Sequence, residues 1–196
     1  MQAIIDTKAQ IRSVAQNLFR ERGFTATSMR DLADSLDIKA ASLYYHVKSK
    51  EDILQEICFR IADDFFKAIE QIDFNTKNAD ELLQEAISTH VKVIIDNLDA
   101  AAVFFHEWRH LSQPHLTKFI TLRKKYERFF TKILKQGIAA KTFGNIDVKF
   151  TVLTIFSTIN WVYEYYKPSG KMTPNEISRN LSNMILHGIS TKKKIV

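Results

Sequence analysis

One cysteine, Cys58, stands in a chain of 196 residues. No intramolecular disulfide can form, and the chain suits a reducing compartment, the cytoplasm. Five glycines and three prolines are too few for the many tight turns of an all-β domain. No run of about eighteen apolar residues is present to span a bilayer, and the opening MQAIIDTKAQ lacks the apolar core of a secretory signal. Internal repeats and low-complexity segments are missing too. What is there, 45% hydrophobic and 26% charged residues, is the composition of a globular protein with one medium domain, or a small domain joined to a larger one.

Charge is unevenly spread. Residues 1–50 carry 8 Lys/Arg against 5 Asp/Glu, and residues 51–196 carry 20 against 17, so each part contributes +3 to the net +6. Per residue the N-terminal quarter is the more basic, which points to an anionic partner there. Apolar residues recur at helical spacing throughout. Ile11, Val14, Ala15, Leu18 and Phe19 form a stripe closed by Gly23. Ser28-Met29-Arg30-Asp31 reads as a capping box ahead of a short helix, and a second short helix is expected from Ala40 to Val47. Ser49-Lys50-Glu51-Asp52 opens a longer helix to about Ile72. Further helices are expected near 79–97 and 100–111, from Pro114 to Ala140, over 147–166, and from Thr173-Pro174 to Gly188, followed by a basic tail, STKKKIV. The chain reads as all-α.

His106-Glu107-Trp108-Arg109-His110 fits the H-E-x-x-H pattern, in which two imidazoles on one helix face bind zinc and the Glu activates a water. A zinc hydrolase also needs a third protein ligand, and Gln113-Pro114-His115 supplies neither the Gly nor the His of the elongated pattern. We assign no catalytic, metal or cofactor residue, and keep the hydrolase, with an effector-free architectural DNA-binding protein, as alternatives.

Residues 27–50, TSMRDLADSLDIKAASLYYHVKSK, describe two short helices joined by a tight turn, a helix-turn-helix. The second helix collects Ser, Tyr and His with few acidic groups, a suitable set of donors to phosphate oxygens. Asp37 stands in the turn, where a residue tolerant of left-handed backbone is required. This stretch resembles the DNA-binding motif of the TetR/AcrR family of transcriptional regulators, including its ending, here Leu43-Tyr44-Tyr45-His46-Val47-Lys48-Ser49-Lys50. The resemblance implies an N-terminal three-helix DNA-binding domain (1–50, continuing into the linking helix 50–72) and a larger ligand-binding and dimerisation domain (51–196). It also implies that Ser28 and Arg30 approach the backbone or groove. Lys39, Ala40, Ala41 and Ser42 open the recognition helix, and Tyr44, Tyr45, His46 and Lys50 clamp phosphates.

FFHEWRHL, the run Arg123–Phe130 and NWVYEYYKPSGKMT are similar to the ligand domain of a TetR branch that regulates fatty-acid and steroid degradation in response to coenzyme A thioesters. On that resemblance Phe104, Phe105, Trp108, Tyr126, Phe130 and Trp161 are expected to line an acyl site. Glu107, Arg109, Arg123, Asn160 and Glu164 are its candidate polar partners. Apolar residues on nearly every side of 147–166, with Ile177, Leu181, Met184, Ile185 and Ile189, need cover that a second copy of the chain supplies. The expectation is a homodimeric repressor on a palindromic operator, released by a small hydrophobic effector such as an acyl-CoA, with no membrane partner.

Overall fold

The structure, a computed structural model, describes residues 2–191, with side chains from Thr7 onward. Ten α-helices are seen among them: α1 (Gln2–Arg22), α2 (Met29–Ser35), α3 (Ala40–His46), α4 (Lys50–Ile69), α5 (Ala79–Asp96), α6 (Leu98–His106), α7 (His115–Ala139), α8 (Val148–Asn160), α9 (Val162–Tyr165) and α10 (Pro174–Ile189). A 3₁₀ turn, Trp108–His110, follows α6. Extended pairing among the described residues is limited to an isolated bridge between Phe143 and Ser190. The last five residues of the basic tail, 192–196, lie outside the described residues.

The helices form two compact units. The first takes the chain up to Ala62 together with Asn97–Thr121, so packing groups α6 with the N-terminal helices. In α1, Ile11, Ala15, Leu18 and Phe19 are buried. Gly23 ends the helix in a left-handed conformation (φ 85°), its N–H donating to the Phe19 carbonyl at 3.0 Å. The Ser28 cap of α2 is reciprocal: the Asp31 N–H donates to Ser28 Oγ (3.1 Å) and the Ser28 N–H to Asp31 Oδ2 (2.7 Å). Asp37 adopts φ 53° in the turn to α3, and α6 packs on α1 with Arg20 paired to Asp99.

The expected helix over 100–111 is interrupted. The α-helix ends at His106, and Glu107 opens a tighter turn in which the His110 N–H donates to the Glu107 carbonyl at 2.9 Å. Leu111 is extended. His106 and His110 therefore do not share an α-helical face, and the H-E-x-x-H arrangement is not built.

The second unit comprises Asp63–Asp96 and the chain from Leu122. Here α5 packs against α10, α8 and α9, burying Leu82, Leu83, Ala86, Ile87, Val91 and Ile94. The loop after α7 turns back through Lys141 (φ 58°) and seats the ring of Phe143 against Gly137. The helix expected over 147–166 is divided at Trp161 into α8 and α9. Thr151, Thr154 and Thr158 donate their hydroxyls to carbonyls four residues back (2.8, 3.0 and 2.9 Å), bonds that compete with a straight helical ladder. Within the single chain α8 is not covered all round. Val152, Ile155 and Ile159 are buried, whereas Phe150 is 70% exposed and Leu153 also faces out. Met184 of α10 is 70% exposed, and with Phe150, Ile155 and Ile185 it lines an open apolar groove of about 460 Å³. At the other boundary, α4 stops at Ile69, one turn short of Ile72.

Candidate functional site

The helix-turn-helix presents its reading helix outward. Leu43 is the buried residue of α3; Lys39, Ala40, Ala41, Ser42, Tyr44 and Tyr45 are exposed, and His46 is half-buried. Tyr45 is 83% exposed, far more than a packing aromatic requires, so its phenol is available to a partner. Its ring meets His46 edge-on at 5.3 Å. Ser28 and Arg30 are exposed at the start of α2. From Ile38 to Lys50 the chain has Lys39, His46, Lys48 and Lys50 and no carboxylate, a surface whose field favours phosphate. Lys39 stands at the N-cap of α3, where its ammonium cannot accept the usual capping bond, and is exposed.

Lys50 is placed differently from the expectation. Its ammonium donates to the carbonyls of Phe24 (2.5 Å) and Thr27 (2.6 Å) and lies 4.3 Å from the centre of the Phe24 ring. The charge that sequence offers to phosphate instead closes the loop between α1 and α2 onto the first turn of α4, because that loop's carbonyls need donors.

Sequence reasoning brings together Tyr126, Phe130 and Asn160, and misses the residue at their centre. His90, 2% exposed on α5, stacks on Phe65 (4.5 Å, 19°) and is edged by Phe130 and Phe156. Its Nδ1 is 3.2 Å from the Tyr126 hydroxyl and its Nε2 is 3.0 Å from Asn160 Oδ1. Burial pushes the His90 pKa down to about 3 and the Tyr126 pKa up, so the imidazole is neutral and the phenol keeps its proton. One ring nitrogen carries hydrogen. With Asn160 Oδ1 accepting, Nε2–H is the donor and Nδ1 accepts from Tyr126 O–H. The result is a polar set, matched by its own members, inside an aromatic wall. A signal for His90 exists in the sequence: it continues the inward stripe Leu83, Ile87, His90, Ile94 at helical spacing, where a polar residue must find partners.

The other effector candidates are dispersed. Phe104 is buried and Phe105 half-buried against each other (5.0 Å), and Trp108 stacks on Phe119 (5.6 Å, 24°). Glu107 and Arg109 also belong to the unit of the N-terminal helices, with Arg109 4.5 Å above the Trp108 ring. Trp161, at 56% exposure, and Glu164 and Arg123 face outward, so none of the three joins the aromatic core. Cys58 is buried and its thiol pKa is raised by that burial, which makes it a packing residue rather than a nucleophile.

Two family models match the chain. Residues 11–57 match the bacterial regulatory proteins of the tetR family, and residues 76–189 match the tetracyclin repressor-like C-terminal domain. The HTH-type transcriptional repressor KstR2 of Rhodococcus jostii is 26% identical over 186 residues, covering 94% of this chain and 91% of that protein. KstR2 of Mycolicibacterium smegmatis is 29% identical over 184 residues, covering 92% and 89%. The solved structure of the ketosteroid transcriptional regulator KstR2 of Mycobacterium tuberculosis superposes with a TM-score of 0.88 at 27% identity, covering 95% of this chain and 96% of that one. A helix-turn-helix with an outward reading helix, joined to a helical body with an aromatic core, is thus matched in both parts: the chain belongs to the TetR family of bacterial transcriptional regulators, ligand-responsive repressors that bind operator DNA and dimerise.

Proposed function

We propose that this TetR-family repressor controls genes of lipid or steroid breakdown in the cytoplasm, and that a coenzyme A thioester releases it from a palindromic operator. The observation that carries the effector half of this reading is the His90–Tyr126–Asn160 set within an aromatic wall. An aromatic wall holding a single polar set suits a largely hydrophobic ligand, which is oriented when its polar group takes over one of the set's internal hydrogen bonds. Similarity to KstR2, described as a ketosteroid regulator, supports a bulky apolar acyl group. In the DNA-binding half, residues 1–50 do the reading. Lys39, Ala40, Ala41 and Ser42 meet base edges, while Tyr44, Tyr45 and His46 reach phosphates alongside Ser28 and Arg30. Residues 51–196 bind effector and pair the two protomers through α8 and α10. Ligand shifts α4, the reading helices leave operator spacing, and affinity falls by the effector's differential preference for the released state.

The test is fluorescence anisotropy on DNA from upstream of the protein's own gene. Long-chain and steroid-derived acyl-CoA are titrated in, with free CoA and the free acids as controls. Tight, salt-sensitive binding released by a thioester alone supports the reading. Binding that ignores every thioester removes the proposed effector.

A further inference from the structure

Residues 106–112, HEWRHLS, are not accounted for by base reading or by the aromatic core. Their contacts give them a different role. The His110 ring stacks on Phe24, 5.2 Å between centroids with planes 25° apart. Glu107 Oε2 stands 3.4 Å from His110 Nε2 and holds the imidazole edge. The Ser112 N–H donates to Glu51 Oε1 at 2.9 Å, and the Ser112 hydroxyl donates to the same oxygen. Trp108, stacked on Phe119, ties the segment down onto α7.

Both grasped residues flank the helix-turn-helix. Phe24 lies in the loop that enters α2, just after the left-handed Gly23 and four residues before the Ser28 cap. Glu51 is in the first turn of α4, the helix that receives the chain from α3. Lys50 already joins these two places through the Phe24 and Thr27 carbonyls. We propose that His110 and Ser112 are positioning residues for operator binding. They hold the entry loop and the exit turn of the helix-turn-helix in the arrangement that presents α3 to the groove, without touching DNA. The tight turn after His106 is what makes this possible. A continued α-helix would place position 110 on a different azimuth from the one that meets Phe24.

Full-length protein is compared on its operator and on an unrelated duplex of equal length at low salt, with thermal unfolding recorded in parallel. His110→Ala and Ser112→Ala each weaken operator binding about tenfold, as expected for losing an aromatic stack or a charge-assisted hydrogen bond. The unrelated duplex, held by charge alone, changes by less than about twofold. His110→Phe, which restores a stacking ring, returns operator affinity to within about twofold of the parent. Operator affinity unchanged in both alanine variants overturns the proposal. So does an equal loss on both duplexes accompanied by a lowered unfolding midpoint, which marks a merely structural role. Should His110→Ala fail to fold, Ser112→Ala decides on the same readouts.

Discussion

His90 makes the stability of this protein depend on pH. Burial depresses its folded-state pKa from 6.5 to about 3, so between those values the unfolded chain binds a proton that the folded chain refuses. The stabilisation from a neutral His90 is whole above pH 6.5 and drains away as pH falls towards 3. From pH 7 to pH 5 the loss works out at about 2 kcal/mol, rising to a slope of about 1.4 kcal/mol per pH unit. The carboxylates held low by hydrogen bonds, Asp31, Glu51, Asp73 and Glu176, lose their contribution only as pH drops through the ordinary carboxylate range and below. The loss from His90 above pH 5 is therefore separated from the loss due to these carboxylates. Urea unfolding followed by circular dichroism at fixed protein concentration measures it, with His90→Gln as the control that keeps an amide donor and acceptor for Tyr126 and Asn160. The parent is expected to lose about 2 kcal/mol across the interval and the variant markedly less. Equal pH dependence in the two proteins would refute the argument, because the proton would then be going elsewhere.

Three other outcomes are expected. Gly137→Ala places a methyl 2.1 Å from the buried Phe143 ring; thermal unfolding should show a loss of about 1–3 kcal/mol from overpacking. Tyr45→Phe should weaken operator and unrelated DNA by a similar factor of about five, as a phosphate contact does, whereas Ser42→Ala should weaken only the operator. Met184→Glu, which puts a charge on the exposed apolar face of α10, should convert dimer to monomer in analytical ultracentrifugation.

Where a structural signal is local, the sequence carries it. The Ser28–Asp31 box forms as read, and the last helix starts at Thr173-Pro174 as read, because a helix start needs only residues a few positions apart. Asp37 occupies the left-handed turn position expected of it. The outward face of α3 follows from a seven-residue helix with one buried leucine. What the sequence does not carry depends on distant partners. No periodicity shows that the helix stops at His106, since the ties to Phe24 and Glu51 join residues tens of positions apart. For the same reason the Lys50 ammonium looks available to DNA until the Phe24 and Thr27 carbonyls are placed around it. His90 was legible in principle as a break in an apolar stripe, but its partners on α7 and α8 were not. Trp161 and Glu164, expected at the effector site, are exposed beside the break between α8 and α9, a break that the apolar pattern of 147–166 does not mark.

The uncovered apolar face of α8 and α10, with Phe150 and Met184 each 70% exposed, ties the regulator's action to its abundance. On the pairing proposed through this face, each protomer keeps that surface in water until it meets another, so paired protein accumulates with the square of protomer concentration when copies are scarce. Operator occupancy then rises more steeply with expression than a monomeric binder's would. A modest fall in dosage lifts repression disproportionately, even with no effector present.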